Sequence, residues 1–487
     1  MRASLPHRLF RFLIVLSVPA ILLAAGLVTS GQAADFSGRV NLAGTSALSG
    51  PPDVETQGEL VVAVWSEGYN DIPDTKDWGH VYLRTASELL GWWTKRTVMR
   101  ATNDVWGIEP HFVFDASTPG RVHVVWAQTS QCGGRLTFCQ GGSIRYTTCA
   151  LSGGVAACQP PATIASTNLY LGYRTPDIAP DGDGDLHVVW NQTSSPEQLL
   201  YSRCAGNCTA SASWSAPSAV PVSGLGENPN LAFSNGVLHL AWDEENPSGS
   251  KIRYYRDTNT ENNTFDAGGA QSWGPAATYT NPSNPTLAAA QNMVYIAWDM
   301  QKTGSNPPQF ALAHVVSNNN GTAFTSVRNV PNNSTSSFTA RESVALNQTF
   351  MGGLKPSLTV TSTGSSVWAH LVWHEIVPDP NEGGLKNQQV FYSYLTAIAT
   401  PWSGPVAVTM GGGASGSAAS GQENGPADVI VQGIAVDSAE PDVAISQAGD
   451  AQVVCMEKVE DKWDAVYQGP IADSVPTYYL PFIRKKP

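Results

Sequence analysis

Four histidines of this chain, His123, His187, His239 and His370, each stand three residues ahead of a tryptophan. Imidazole is a frequent metal ligand. One offset found four times reads first as a packing position, because copies of a repeat position do not converge on one ion. The run Asp181-Gly182-Asp183-Gly184-Asp185 alternates acids as calcium loops do, since calcium takes several hard oxygen ligands. The same residues suit a hairpin turn. The turn is the expectation, calcium on Asp181, Asp183 and Asp185 is the alternative, and no other cofactor is expected. Arg100, Arg174, Arg341 and Lys355 are cations suited to a ligand carboxylate. Trp78 and Trp106 offer faces for stacking on sugar rings, and Tyr173, Glu109 and Glu227 offer polar contacts beside them.

These residues hang on a pattern that recurs seven times. Its anchors close short apolar strands: Leu-Val-Val-Ala-Val-Trp65, Val-His-Val-Val-Trp126, Leu-His-Val-Val-Trp190, Leu-His-Leu-Ala-Trp242, Val-Tyr-Ile-Ala-Trp298, Ala-His-Leu-Val-Trp373 and Ala-Gln-Val-Val-Cys455. Cys455 fills a tryptophan slot and reads as a small buried hydrophobe. Upstream of each anchor lies a proline with a short strand, from Pro52-Asp53-Val54 to Pro441-Asp442-Val443. A third strand follows, such as Ile252-Arg253-Tyr254, and a fourth is expected to open at Trp93, Trp214, Trp273 or Trp402. Four antiparallel strands per repeat predict a blade. The fold expected is an all-β, seven-bladed β-propeller of four-stranded antiparallel blades. Its seventh blade is completed by the mature N-terminal strand near Phe36-Ser37-Gly38-Arg39-Val40, which closes the ring and protects sheet edges.

The ends and the cysteines point to export. Arg2, Arg8 and Arg11 precede an apolar run at residues 12–28, with small residues before Ala34, as in a secretory signal peptide. The expected organisation is a signal peptide at 1–33, the propeller at 34–472 and a C-terminal tail at 473–487. An uncleaved anchor is the alternative reading of the first segment. Cys132 with Cys139, Cys149 with Cys158, and Cys204 with Cys208 form three short-range pairs that an oxidising compartment would join. The chain carries 27 Lys and Arg against 40 Asp and Glu, for a net charge of −13, which argues against nucleic acid. Residues 411–425, rich in Gly, Ser and Ala, read as a loop within the ring.

Ser317-Asn318-Asn319-Asn320-Gly321-Thr322-Ala323-Phe324 resembles the Asp-box of sialidase-type repeats, Ser-x-Asp-x-Gly-x-Thr-Trp. Thr264-Phe265-Asp266-Ala267-Gly268 begins a second box, with Trp273 in the place of its aromatic residue, two positions late. The body at 36–471 thus resembles the sialidase-like (BNR-repeat) propellers. Tyr173-Arg174-Thr175-Pro176 is similar to that family's Phe/Tyr-Arg-Ile-Pro motif, so the resemblance implies that Arg174 is one of three arginines holding a substrate carboxylate. It also implies a Tyr nucleophile assisted by Glu, and an Asp acid/base. No motif matches those partners here. The function expected is therefore a noncatalytic, secreted or cell-surface bacterial protein, a monomer without a membrane span after cleavage. It would bind a glycan or a cell-surface protein at the ring mouth, where loops differ between repeats. The alternative is a glycan-active enzyme at the same mouth, a glycoside hydrolase or a polysaccharide lyase.

Overall fold

A computed structural model describes residues 39–43, 49–67, 79–87, 91–92, 95–99, 105–132, 139–152, 155–170, 172–193, 197–222, 224–245, 249–266, 268–275, 279–304, 309–330, 343–344, 354–364, 366–378, 386–398, 401–403, 405–408, 438–446, 451–459 and 462–468. Strands make seven antiparallel sheets of four or five strands. The fourth blade shows the plan: Leu225–Ser234 nearest the axis, then Val237–Glu245, Lys251–Asp257 and Gly268–Trp273. The other axial strands are Asp53–Gln57, Val105–Phe114, Tyr173–Pro180, Tyr279–Ala290, Ser357–Thr363 and Ser438–Ile445. Arg39–Asn41 pairs with Lys462–Gln468 on the outer side of the seventh sheet, Val40 facing Tyr467, so the N-terminal strand closes the ring. Arg84 in the first blade donates to the carbonyls of Asn41 and Leu42 at 3.2 and 3.4 Å, fastening that seam.

The alternation of the repeat explains the core. Each blade is too thin to hide both faces, so side chains pack between neighbours. The described residues form seven hydrophobic clusters, one for each blade interface. Each anchor (Trp65, Trp126, Trp190, Trp242, Trp298, Trp373 or Cys455) faces the preceding blade and is at most 1% exposed. The four repeated histidines join strands within blades: Nδ1 lies 2.7 Å from the hydroxyl of Tyr146, Tyr201 or Tyr254 for His123, His187 and His239, and 2.8 Å from that of Tyr392 for His370. Their other nitrogens reach Asp115, Asp181, Ser234 and Thr361 at the far end of the first strand. In the seventh blade Gln452 takes the histidine slot and receives the Tyr467 hydroxyl. The repeated histidines are packing groups.

The turn between third and fourth strands supplies a second link between blades. In Ser317 to Phe324 the Ser317 hydroxyl accepts from Gly321 N at 2.9 Å, and Asn319 Oδ1 accepts from Ala323 N at 2.9 Å. Phe324 then packs on Tyr254 of the preceding blade, centroids 4.9 Å apart. Trp214 packs likewise on Tyr146, Phe265 on Tyr201 and Trp402 on His314. This corrects two sequence expectations. Phe265, not Trp273, fills the aromatic slot of the fourth blade; Trp273 ends the fourth strand and stacks on Trp298 at 5.7 Å. Trp214 and Trp402 precede short fourth strands, Ser218–Ala219 and Val406–Ala407, instead of opening them; Trp93 lies outside the described residues.

Disulfides join Cys149 to Cys158 and Cys204 to Cys208. The Cys132 and Cys139 backbones face each other in register, while their side chains lie outside the described set. Residues 1–38, 411–425 and 469–487, including the predicted signal peptide and tail, also lie outside it. Among the described residues no helix is long and apolar enough to cross a membrane.

Candidate functional site

The seven Pro-x-apolar segments meet at the ring axis, around a cavity of about 770 Å³. The apolar residue of each segment points into a blade interface, and the polar residue x before it faces the cavity: Asp53, His111, Asp177, Asn230, Thr286, Ser357 and Asp442. The x residues wire neighbouring blades together. Phe112 N donates to Asp53 (2.8 Å), Leu231 N to Asp177 (2.6 Å), Leu287 N to Asn230 (2.7 Å), Leu358 N to Thr286 (3.0 Å) and Val54 N to Asp442 (2.7 Å). The Ser357 hydroxyl donates to Asp442. The strand termini at the axis would otherwise leave these N–H groups without acceptors. Two crossings depart from the backbone-to-side-chain pattern: the sixth-to-seventh, linked by the two side chains of Ser357 and Asp442, and the second-to-third, where Ile178 N bonds to Asp177 of its own blade.

At the second-to-third crossing an ion pair supplies the link. Arg174 Nε donates to both Glu109 oxygens at 3.1 Å, its Nη2 donates to Oε1, and Thr175 N donates to Oε2 at 2.8 Å. Burial alone would raise the Glu109 carboxyl, but the Arg174 guanidinium and the Thr175 N–H hold it below the ordinary carboxylate range. Glu109, Thr175, Asn228, Asn284 and Lys355 occupy one repeat position, each just before the proline, and all have positive φ, between 45° and 50°. Register shifts mark bulges at four of these places. Non-glycine residues in this conformation are sparsely populated and cost about 1–3 kcal/mol each. The backbone of the rim is thus copied in five blades while its side chains vary, with Asn in both the fourth and the fifth.

In the third, fourth and fifth blades the residue after the anchor tryptophan braces this rim. Asn191 Nδ2 donates to Gly226 O at 2.6 Å. Asp243 accepts from Asn228 Nδ2 (3.1 Å) and Asn284 N (3.3 Å). Asp299 accepts from Ser283 Oγ (2.6 Å), Asn284 Nδ2 (3.0 Å) and Leu354 N (2.6 Å). Burial raises the carboxyls of Asp243 and Asp299 in spite of these donors. Glu227 pairs in register with Asp243, and burial, with the Asp243 charge, pushes its carboxyl up to about 7; Lys355 partly offsets this.

Deeper in the cavity the balance is acidic. Five carboxylates line it (Asp53, Glu55, Glu109, Asp177 and Asp442) against two permanent cations, Arg174 and Lys355. Burial and the neighbouring Asp442 raise Asp53. Burial, then Asp442 and Asp177, push Glu55 up to about 8, and burial raises Asp177. His111 Nδ1 lies 3.7 Å from Asp53 Oδ2.

The cavity brings together Arg174, Glu109 and Lys355 from the sequence candidates, with Glu227 beside the rim. Tyr173 is excluded: it is 6% exposed and packs edge-on against Trp190 in the interface between the second and third blades. Trp78, Arg100 and Arg341 lie outside the described residues, as does the side chain of Trp106. The Asp181 run forms the expected turn, with Asp181 Oδ1 accepting from Asp183 N (3.0 Å) and Asp185 N (2.9 Å) while Asp185 receives Arg203. Among the described residues no three His, Cys, Asp or Glu side chains are placed to hold a metal ion. Sequence reasoning missed His111, Asp53, Glu55, Asp177 and Asp442. The signal present was the polar residue in every Pro-x-apolar segment.

The sequence matches no protein-family model and no curated protein. Similar solved structures include the polysaccharide lyase Uly1, at 10% identity and a TM-score of 0.47, covering 86% of this chain and 90% of that one. The Trypanosoma rangeli sialidase in complex with the inhibitor DANA gives 8% identity and a TM-score of 0.43, covering 88% of this chain. The NanB sialidase from Streptococcus pneumoniae gives 10% and 0.42, covering 89% of this chain and 69% of that one. The chain spans 59% of the Trypanosoma sialidase structure. At these identities the likeness is one of fold.

Proposed function

We propose that the chain is an exported propeller that binds a glycan or a surface protein, without turning it over, at the mouth of its axial cavity. The observation that carries this reading is the rim: five blades present the same strained backbone position with four kinds of side chain, Glu109, Thr175, the asparagines Asn228 and Asn284, and Lys355. Symmetric scaffolding with unlike chemistry at its mouth is the arrangement of a ligand site on a repeat protein. Two features favour binding over turnover. Arg174 is occupied by Glu109, and no tyrosine lines the cavity among the described residues. Export rests on the N-terminal charge and hydropathy pattern and agrees with the two disulfides.

One observation favours the enzyme. Glu227, raised to about 7 and standing in register with Asp243, is a carboxyl able to donate a proton near neutral pH. Incubating the purified chain with sialosides, uronic-acid polymers and neutral glycans, with chromatography of the products, tests both readings. Retention of uncleaved ligand is expected. Release of product, lost in Glu227→Gln, would establish the enzyme instead.

A further inference from the structure

The four deep acids of the cavity come from three blades, Asp53 and Glu55 from the first, Asp177 from the third and Asp442 from the seventh. Asp53, Asp177 and Asp442 each accept a backbone N–H at the blade joints. Asp177 also accepts from Ile178 N and Asp442 from the Ser357 hydroxyl, and Asp53 and Asp442 hydrogen-bond to each other. A carboxylate oxygen has a second lone pair beyond one such bond. Glu55 has no part in those joints. Of the cations that face this group, Arg174 is engaged by Glu109, His111 stands 3.7 Å from Asp53, and Lys355 lies at the rim.

A second feature points to a ligand independently of charge. Ser49 and Ser66, both on the cavity wall beside the first blade, are each 1% exposed, and their hydroxyls have no hydrogen-bond partner among the described residues. A buried hydroxyl without a partner is costly, and native folds rarely keep one without reason. Gly50 lies between them. A Cβ at that residue would sit 2.4 Å from the Ser66 Oγ, so only glycine fits against that hydroxyl. Asn230 adds polar capacity on the opposite wall, since the bond from Leu287 N uses only its Oδ1.

We infer that the axial cavity receives an amino sugar, its protonated amine held among Asp53, Glu55, Asp177 and Asp442 and its hydroxyls paired with the buried serines and side-chain amides. The assignment deepens the glycan-binding reading and rests on it. A carboxylate ligand would have to settle among acids that give it no cationic partner, because the lining acids outnumber the permanent cations and Arg174 is already engaged by Glu109. A neutral sugar would use the hydroxyls and amides but leave the raised acids in their protonated form, gaining nothing from their charge. Since burial holds Asp53, Glu55 and Asp177 above their ordinary range, an arriving ammonium drives off protons as it binds.

Calorimetric titration of the full chain at pH 7, in two buffers of different ionisation enthalpy, tests this. The probes are tetramers of glucosamine, of N-acetylglucosamine and of a hexuronate. The glucosamine tetramer is expected to bind and to release protons. Glu55→Gln, which spares the blade joints, is expected to weaken it about tenfold and to reduce the release. A melting curve checks that this variant is folded, and Asp177→Asn serves as a second probe. Equal binding of the N-acetylated tetramer, preference for the hexuronate, or unchanged affinity in folded Glu55→Gln would overturn the amino-sugar assignment and leave glycan binding standing. Failure of all three tetramers to bind would overturn both.

Discussion

The carboxyl groups of Asp53, Asp177 and Asp442 hold the blades together while lining an acid-rich cavity, whereas Glu55 lines the cavity without holding a joint. That difference makes Glu55 the cleanest probe of the site's electrostatics. Its carboxyl ordinarily titrates near 4.5, and burial with the Asp442 and Asp177 charges pushes it up to about 8. A carboxyl raised by folding contributes stability that is fully present below about 4.5 and lost as pH rises through about 8. Glu55→Gln, neutral at every pH, should therefore raise the melting temperature at pH 9 by about a few degrees. The same variant should leave it nearly unchanged at pH 4.5, as a melting series across that window would check. A residue this informative was hard to find in the sequence. The repeat marks a polar position after each proline, yet only the closed ring brings Asp53, Asp177 and Asp442 to one axis. Arg174 was legible as a cation, but its partner Glu109 sits 65 residues upstream, in another blade.

The turn after the third strand was legible because its hydrogen bonds are local. Ser317, Asn319 and Gly321 satisfy one another within five residues, and the sequence records that spacing directly. The fourth blade was misread because its turn is longer. Asp257 opens it, accepting from Asn259 N at 2.8 Å and Asp266 N at 3.0 Å, so Phe265 reaches Tyr201 before Trp273 arrives. What the turn does for its neighbour is visible only in three dimensions. Gly321 has φ 74°, and a Cβ there would fall 1.7 Å from the Tyr254 hydroxyl of the preceding blade. Gly321→Ala should therefore cost about 2–4 kcal/mol, combining left-handed strain with a clash against a buried aromatic residue. Denaturant unfolding would measure it. Ala323→Thr, which moves the box toward its fuller pattern at an exposed position, should change stability by less than about 0.5 kcal/mol.

At the scale of the ring, seven interfaces share one design, and the sevenfold register was the strongest signal in the sequence. Its histidines set the acid limit of the whole molecule. Burial lowers His239 and His370 from 6.5 to about 4, and burial with Arg328 lowers His314 to about 3. A base depressed by folding contributes stability present above pH 6.5 and lost as pH falls toward about 4, each at most about 3 kcal/mol. The melting temperature should therefore fall steeply between pH 6.5 and pH 4, and His370→Gln should flatten that limb. The ring's purpose rests on its mouth, where an ion pair, strained amides and a lone rim lysine surround an acidic cavity. Native mass spectrometry of the purified chain with mixed oligosaccharides tests that purpose most directly, because it weighs the complex and any product together. The account predicts one intact oligosaccharide per chain, weakened in Glu55→Gln. Ligand masses shifted by the gain or loss of water, accumulating with time, would contradict it.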